Sequence, residues 1–158
     1  MQKLFQYNWQ VREDWFNWCE TVPEADILKE RVGGVGGVLH TLFHIVDVEY
    51  SWILNMKGEV VPDVPPFKEY ASLHKVREFS REYHHKVVRP FVYSWKDEME
   101  KKTLLDTDSS GQTSIYKQGE IMRHILAHEI HHIGQLSIWA REIGKKPISA
   151  NFIDRGLS

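Results

Sequence analysis

Cysteine is almost absent. Cys19 is the single one in 158 residues, so no disulfide can close within the chain and a reducing compartment fits. No apolar run approaches the roughly 18 residues of a membrane helix. The opening stretch from Met1 to Trp15 has no signal-peptide apolar core. The chain is therefore expected to be cytoplasmic, with no membrane partner. An excess of one charge is missing too: 20 basic against 22 acidic residues leave a net charge of −2, which gives no electrostatic case for binding nucleic acid. Internal repeats, low-complexity tracts and breaks in composition are lacking, so residues 1–158 read as a single domain. What is present is an ordinary globular mixture, 42% hydrophobic and 27% charged, long enough to bury a core without staples. Two residue types stand out, with six Trp and nine His.

The dominant periodicity is helical. A first helix is expected from Gln2 to Val22, with Leu4, Val11, Trp15 and Trp18 on one face and Pro23 as its stop. The glycine cluster Gly33-Gly34-Val35-Gly36-Gly37 follows as a loop. It lacks the strand-turn-helix setting of a phosphate cradle. A second helix runs from Val38 to Met56, presenting Leu39, Leu42, Phe43, Val46, Tyr50 and Ile53, with Gly58 as its cap. Pro62, Pro65 and Pro66 force a loop across residues 60–67. A third helix is expected from Ser72 to Glu98, kinked or divided at Pro90. The segment Leu104 to Tyr116, with its Asp108-Ser109-Ser110-Gly111 turn, reads as a small hairpin. A fourth helix spans Lys117 to Ile143 and ends at Gly144. The expected fold is all-α: an antiparallel four-helix bundle with a long crossover and a small hairpin before the last helix.

The last helix holds the densest chemistry, His124-Ile-Leu-Ala-His128-Glu129-Ile-His131-His132-Ile133-Gly-Gln135. Four residues apart, His128 and His132 stand about 40° apart on the helix and one turn along it. Both imidazoles then project the same way, which makes the pair a natural metal clamp. His124 continues the row and His131 lies beside it. A third donor must come from another helix, and the second helix offers His40 and His44, again one turn apart. His128 to His132 also spells H-E-x-x-H, the zinc-protease pattern, but little sheet is available here to dock an extended peptide.

These features resemble the DinB/YfiT-like family of metal-dependent four-helix proteins. The likeness runs through Tyr7-Asn8-Trp9, then His44-x-x-Asp47-x-Glu49-x-x-Trp52-Ile53, Gly119-Glu120, the His128–Gln135 segment and Arg141 to Gly144. Carried over position by position, the family's metal triad falls on His44, His128 and His132, and the resemblance thereby decides between His40 and His44. His124 and His131 are then packing residues or partners of the ligands. Where the family often has Arg after the last ligand, this chain has Ile133.

The resemblance implies a homodimer and a reaction that transfers or isomerises low-molecular-weight thiol adducts. A three-imidazole site keeps one coordination position open, as catalytic zinc sites do. The expected cofactor is one divalent transition metal, zinc or nickel foremost; imidazole donors also suit copper and iron. Asp47, Glu49 and Glu129 are the candidates to orient the ligand rings from behind; Gln135, three residues after His132, either reaches the metal-bound water or caps a neighbouring helix. Arg123 and Lys117 are candidates to contact a thiol cosubstrate. The expected function is transfer of a small thiol to an electrophile, or hydrolysis of a small substrate. The alternatives are a non-catalytic metal-binding or metal-sensing dimer and, third, a zinc protease acting through His128, Glu129 and His132.

Overall fold

The computed structural model describes residues 1–64, 66–107 and 110–157. Pro65 of the proline loop, and Asp108 and Ser109 of the expected hairpin turn, lie outside the described residues. The chain is mostly helical. Helix α1 (Gln2–Cys19) is followed by the short α2 (Glu24–Leu28), and α3 spans Val38–Lys57. A short α4 (Phe67–Tyr70) leads into α5 (Leu73–Tyr83). A π-helical turn (His84–Val88) joins α5 to α6 (Arg89–Ser94), and a 3-10 turn (Asp97–Lys101) follows. Strands β1 (Thr103–Thr107) and β2 (Thr113–Lys117) pair antiparallel, with Leu105 opposite Ile115, before the long α7 (Gln118–Glu142). Among the described residues, no helix is long and apolar enough to cross a membrane.

The ends of the elements have local causes. Gly58 adopts φ 71° and returns its N–H to Asn55, closing α3 in the left-handed conformation that glycine tolerates. The Ser72 hydroxyl accepts the Lys75 N–H at the start of α5. The third helix differs from expectation. It is not simply kinked at Pro90: the Arg89 N–H reaches back to the His84 carbonyl, widening one turn to π geometry. Proline has no N–H and its ring crowds the carbonyl four residues earlier. The wider turn absorbs that conflict, and the helical run continues to Ser94 instead of Glu98.

Paired side chains give the helix directions. On α1 and α5–α6, Gln6 meets Tyr93 and Asn17 meets Arg77, so those two run oppositely. Gln118 donates to the Met56 carbonyl while His128 and His132 meet His44, so α3 and α7 also run oppositely. Two apolar clusters form the core. One gathers Trp15, Phe16, Leu39, Leu42, Phe43, Val46, Ile133 and Leu136; the other gathers Phe5, Ile53, Val88, Phe91, Met122 and Ile125. Leu4, expected on the buried face of α1, is 42% exposed, and its neighbour Phe5 is fully buried in its place.

Between the two clusters lies a charged layer. Arg12, Glu49 and Glu129 are 3%, 2% and 1% exposed. Each sits on its helix between residues of one cluster and residues of the other. Arg12 donates to Glu49 at 2.7 Å and to both oxygens of Glu129 at 2.9 and 2.5 Å. The Trp9 indole N–H completes Glu49 at 2.9 Å. Burial disfavours the Arg12 charge, yet the Glu129 and Glu49 charges outweigh it and raise its pKa. Burial also pushes the Glu129 carboxyl up, against the pull of Arg12.

Candidate metal centre

His44 lies nearly two turns into α3, and His128 and His132 lie one turn apart on α7; the opposed directions of the two helices bring the three rings together. His128 Nε2 is 3.1 Å from His44 Nε2 and 3.1 Å from His132 Nε2. One candidate ligand atom from each residue lies within 4.8 Å of the others. His132 is buried and the other two are half-buried, so the cluster is partly open to solvent.

The proton count of this cluster decides what it suits. Gln135 Oε1 is 2.7 Å from His132 Nδ1, and an amide oxygen only accepts, so the proton is on Nδ1. The neutral His132 ring then offers Nε2 as a bare lone pair. His128 Nε2 faces two nitrogens with at most one proton of its own. A single cation shared by three lone pairs satisfies all of them at once. Around a four-coordinate zinc-sized ion, with bonds of about 2.0–2.1 Å, neighbouring ligand nitrogens stand roughly 3.3 Å apart. The spacing and the donor chemistry therefore fit a divalent transition ion.

Electrostatics keep the lone pairs free. Burial, then the neighbouring imidazoles His132 and His40, push His44 down to about 4. Burial, then His132 and His44, push His128 down to about 3. Burial also lowers His132, partly offset by its bond to Gln135. All three rings are neutral near pH 7.

The other expected residues are placed as follows. Gln135, expected on the metal-bound water or at a helix cap, instead orients His132, and its amide N–H donates to His131 Nε2 at 3.2 Å, so His131 buttresses the amide. The glycine loop has a part in this: a Cβ on Gly34, at φ +53°, would stand 2.5 Å from Gln135 Oε1. Glu49 and Glu129 do not take the expected place behind the imidazoles, because both carboxylates turn inward to Arg12. One residue beyond His128 is about 100° around the helix, which aims Glu129 into the core. With both oxygens held by Arg12 and only 1% of the residue exposed, Glu129 is not placed to act as the general base of a zinc protease. Asp47 accepts from Ser51 at 3.4 Å. His40 stacks on Phe67 with centroids 4.3 Å apart, and His124 meets Trp52 edge-on. Arg123 is taken up by Glu100 and the Gly119 carbonyl, and Lys117 ends β2 as the N-cap of α7. A separate cavity of about 300 Å3, lined by Trp9, Arg12, Phe16 and His84 with their neighbours, borders none of the three clustered rings.

Arg12 was not among the residues singled out from sequence. The signal was available: a lone guanidinium on the stripe of Phe5, Asn8, Trp15 and Phe16, which must find a partner if that stripe is buried. The service of Gly34 to Gln135 carries no such signal, since the two lie a hundred residues apart.

A mostly helical fold with three convergent imidazoles on two long helices defines the class. The chain belongs to the DinB family, whose model matches residues 1–155. It is 44% identical over 157 residues to protein YizA of Bacillus subtilis strain 168, covering 99% of this chain and 96% of that one. Protein DinB of the same strain is 22% identical over 149 residues, covering 90% and 85%. Among solved structures, a DinB-like protein from Bacillus cereus ATCC 10987 superposes with a TM-score of 0.63 at 16% identity, covering 92% of this chain and 94% of that one. That likeness speaks for the fold alone.

Proposed function

We propose that the chain is an antiparallel four-helix bundle with a crossover and that it is a metal-dependent enzyme. His44, His128 and His132 hold one divalent transition ion, zinc or nickel. The reaction is transfer of a low-molecular-weight thiol to an electrophile, or hydrolysis of a small substrate. The observation that carries this reading is the convergence of three Nε2 lone pairs from α3 and α7, with His128 3.1 Å from each neighbour. A bound ion would supply Lewis acidity, bringing the pKa of a water or thiol at the open position toward neutral.

The protein's own groups do the rest. Gln135 fixes the His132 tautomer, and burial holds the rings neutral and ready to donate. His40, stacked on Phe67, and His124, edge-on to Trp52, are not among the residues whose ligand atoms converge. That favours an open, catalytic position over a closed metal-sensing one. A homodimer working in the cytoplasm completes the proposal.

The test is metal content by mass spectrometry on untagged protein, beside His44→Ala and His132→Ala. Near-stoichiometric metal in wild type and its loss from both variants support the reading and justify a screen of cellular thiols against electrophiles. Wild-type protein that stays empty after incubation with zinc or nickel overturns it.

A further inference from the structure

The pairing of α3 with α7 continues beyond the imidazole cluster toward the hairpin. Because the helices run oppositely, the stripe from His44 to Trp52 on α3 faces the stripe from His128 through His124 to Glu120 on α7. There residues of α3, β2 and α7 line a cavity of about 260 Å3: Trp52, Tyr116, Glu120, Ile121 and His124. Its walls are rings set nearly perpendicular to one another. Trp52 meets Tyr116 at 6.0 Å and 88°, and meets His124 at 6.2 Å and 79°. The His124 ring is in turn 5.8 Å from that of His128. One side chain therefore separates the slot from the cluster.

Size and chemistry narrow the occupant. Pockets for drug-sized ligands begin at about 300 Å3, so this one suits a single ring with a short arm, not a nucleotide or a peptide. Perpendicular aromatic walls offer edges and faces to a flat π-system. Glu120, exposed at the rim, disfavours an anionic ring. We propose that this slot binds the uncharged aryl ring of the small molecule acted on at the three-histidine cluster, whose nearest ring, His128, lies one helical turn beyond His124. The inference rests on the metal reading above for its second half only; the aryl site stands on its own geometry.

The probe is 2-phenylethanol, titrated into the full chain carrying 5-fluorotryptophan and followed by fluorine NMR. The Trp52 signal, identified by its loss in Trp52→Phe, should shift saturably while those of the buried Trp15 and Trp139 stay still. Binding of 2-cyclohexylethanol should be at least fivefold weaker. Tyr116→Ala, a change on the exposed hairpin that leaves the remaining signals in place, should weaken 2-phenylethanol by about fivefold. A Trp52 signal that does not move, equal binding of the cyclohexyl compound, or an unaltered Tyr116→Ala overturns the aryl slot.

The link to the cluster is read with 2-phenylethanethiol, 3-phenylpropanethiol and 4-phenylbutanethiol, whose arms carry the thiol to increasing distances from the ring. In zinc-loaded wild type at least one of them should bind at least tenfold tighter than its matching alcohol, and in His44→Ala none should. Zinc-loaded protein without that gain overturns the link. Protein that binds 2-phenylethanol but no zinc overturns the metal reading and leaves the aryl slot standing.

Discussion

His132 Nδ1 donates to Gln135 Oε1 at 2.7 Å, and this bond decides which nitrogen of His132 faces the other two imidazoles. Gly34 makes it possible, because any side chain there would meet the same oxygen at 2.5 Å. Groups that orient a ligating histidine commonly matter by 10–100-fold in metal affinity. Gln135→Ala should therefore weaken zinc binding by roughly that factor, measured by competition with a chelating dye. Gly34→Ala should act in the same direction. Gly33→Ala is its control, since Gly33 also has positive φ, +92°, but open space around it. It should lower stability without changing zinc affinity. If both glycine variants weaken zinc equally, the effect comes from loop strain and not from Gln135.

The buried charge layer predicts a large stability effect. Arg12 is the partner of two carboxylates that are almost wholly removed from water. Breaking such an arrangement from one side costs about 3–5 kcal/mol, because charge is left uncompensated. Arg12→Ala should lower the unfolding free energy at pH 7 by that amount in urea titrations. Replacing all three, as Arg12→Met with Glu49→Leu and Glu129→Leu, should recover most of the loss. A single-variant loss under about 1 kcal/mol would mean that water reaches the layer.

Much of this architecture is readable from the chain because it rests on local rules. The faces of α3 and α7 follow from apolar spacing, and Gly58 and Gly144 end them where a left-handed residue is needed. The hairpin is visible in its two short runs. What was not readable depends on partners distant in sequence. Pro90 announces a disturbance, but whether a helix answers with a kink or a π turn depends on what packs around it. Glu49 and Glu129 looked like helpers of the imidazoles because they are their neighbours in sequence. Helix rotation aims them at Arg12 instead. The convergence of His44 with His128 and His132 needs two helices in register, which one-helix spacing cannot supply; the family resemblance singled out that histidine.

Cys19 is 1% exposed, and burial pushes its thiol up to about 12. The thiolate is the reactive form, so native protein should resist a disulfide reagent at pH 8. Reaction should appear in urea, following the unfolding curve. Fast stoichiometric labelling of native protein would show that this end of α1 opens readily.

His84 lies at the start of the π turn with its ring edge-on to Trp9, centroids 4.5 Å apart. Burial pushes its pKa down to about 4, against the attraction of Glu49 and with help from Arg12, His85 and Arg89. In the unfolded chain the same ring titrates near 6.5. Between those values the unfolded state binds the proton and the folded state does not, so stability rises with pH across the window. Acidifying from pH 7 toward 4 should therefore destabilise the protein progressively, with His84 supplying part of the slope. His84→Gln should flatten that part while leaving stability at pH 7.5 little changed. His44 and His128 are also pushed down, to about 4 and about 3, so some slope remains in metal-free protein. The comparison is best made with a chelator present, by urea midpoints at half-unit pH steps. A His84→Gln profile parallel to wild type would show that the ring takes up its proton in the folded state without penalty, and that the space beside Trp9 is wetter than its burial implies.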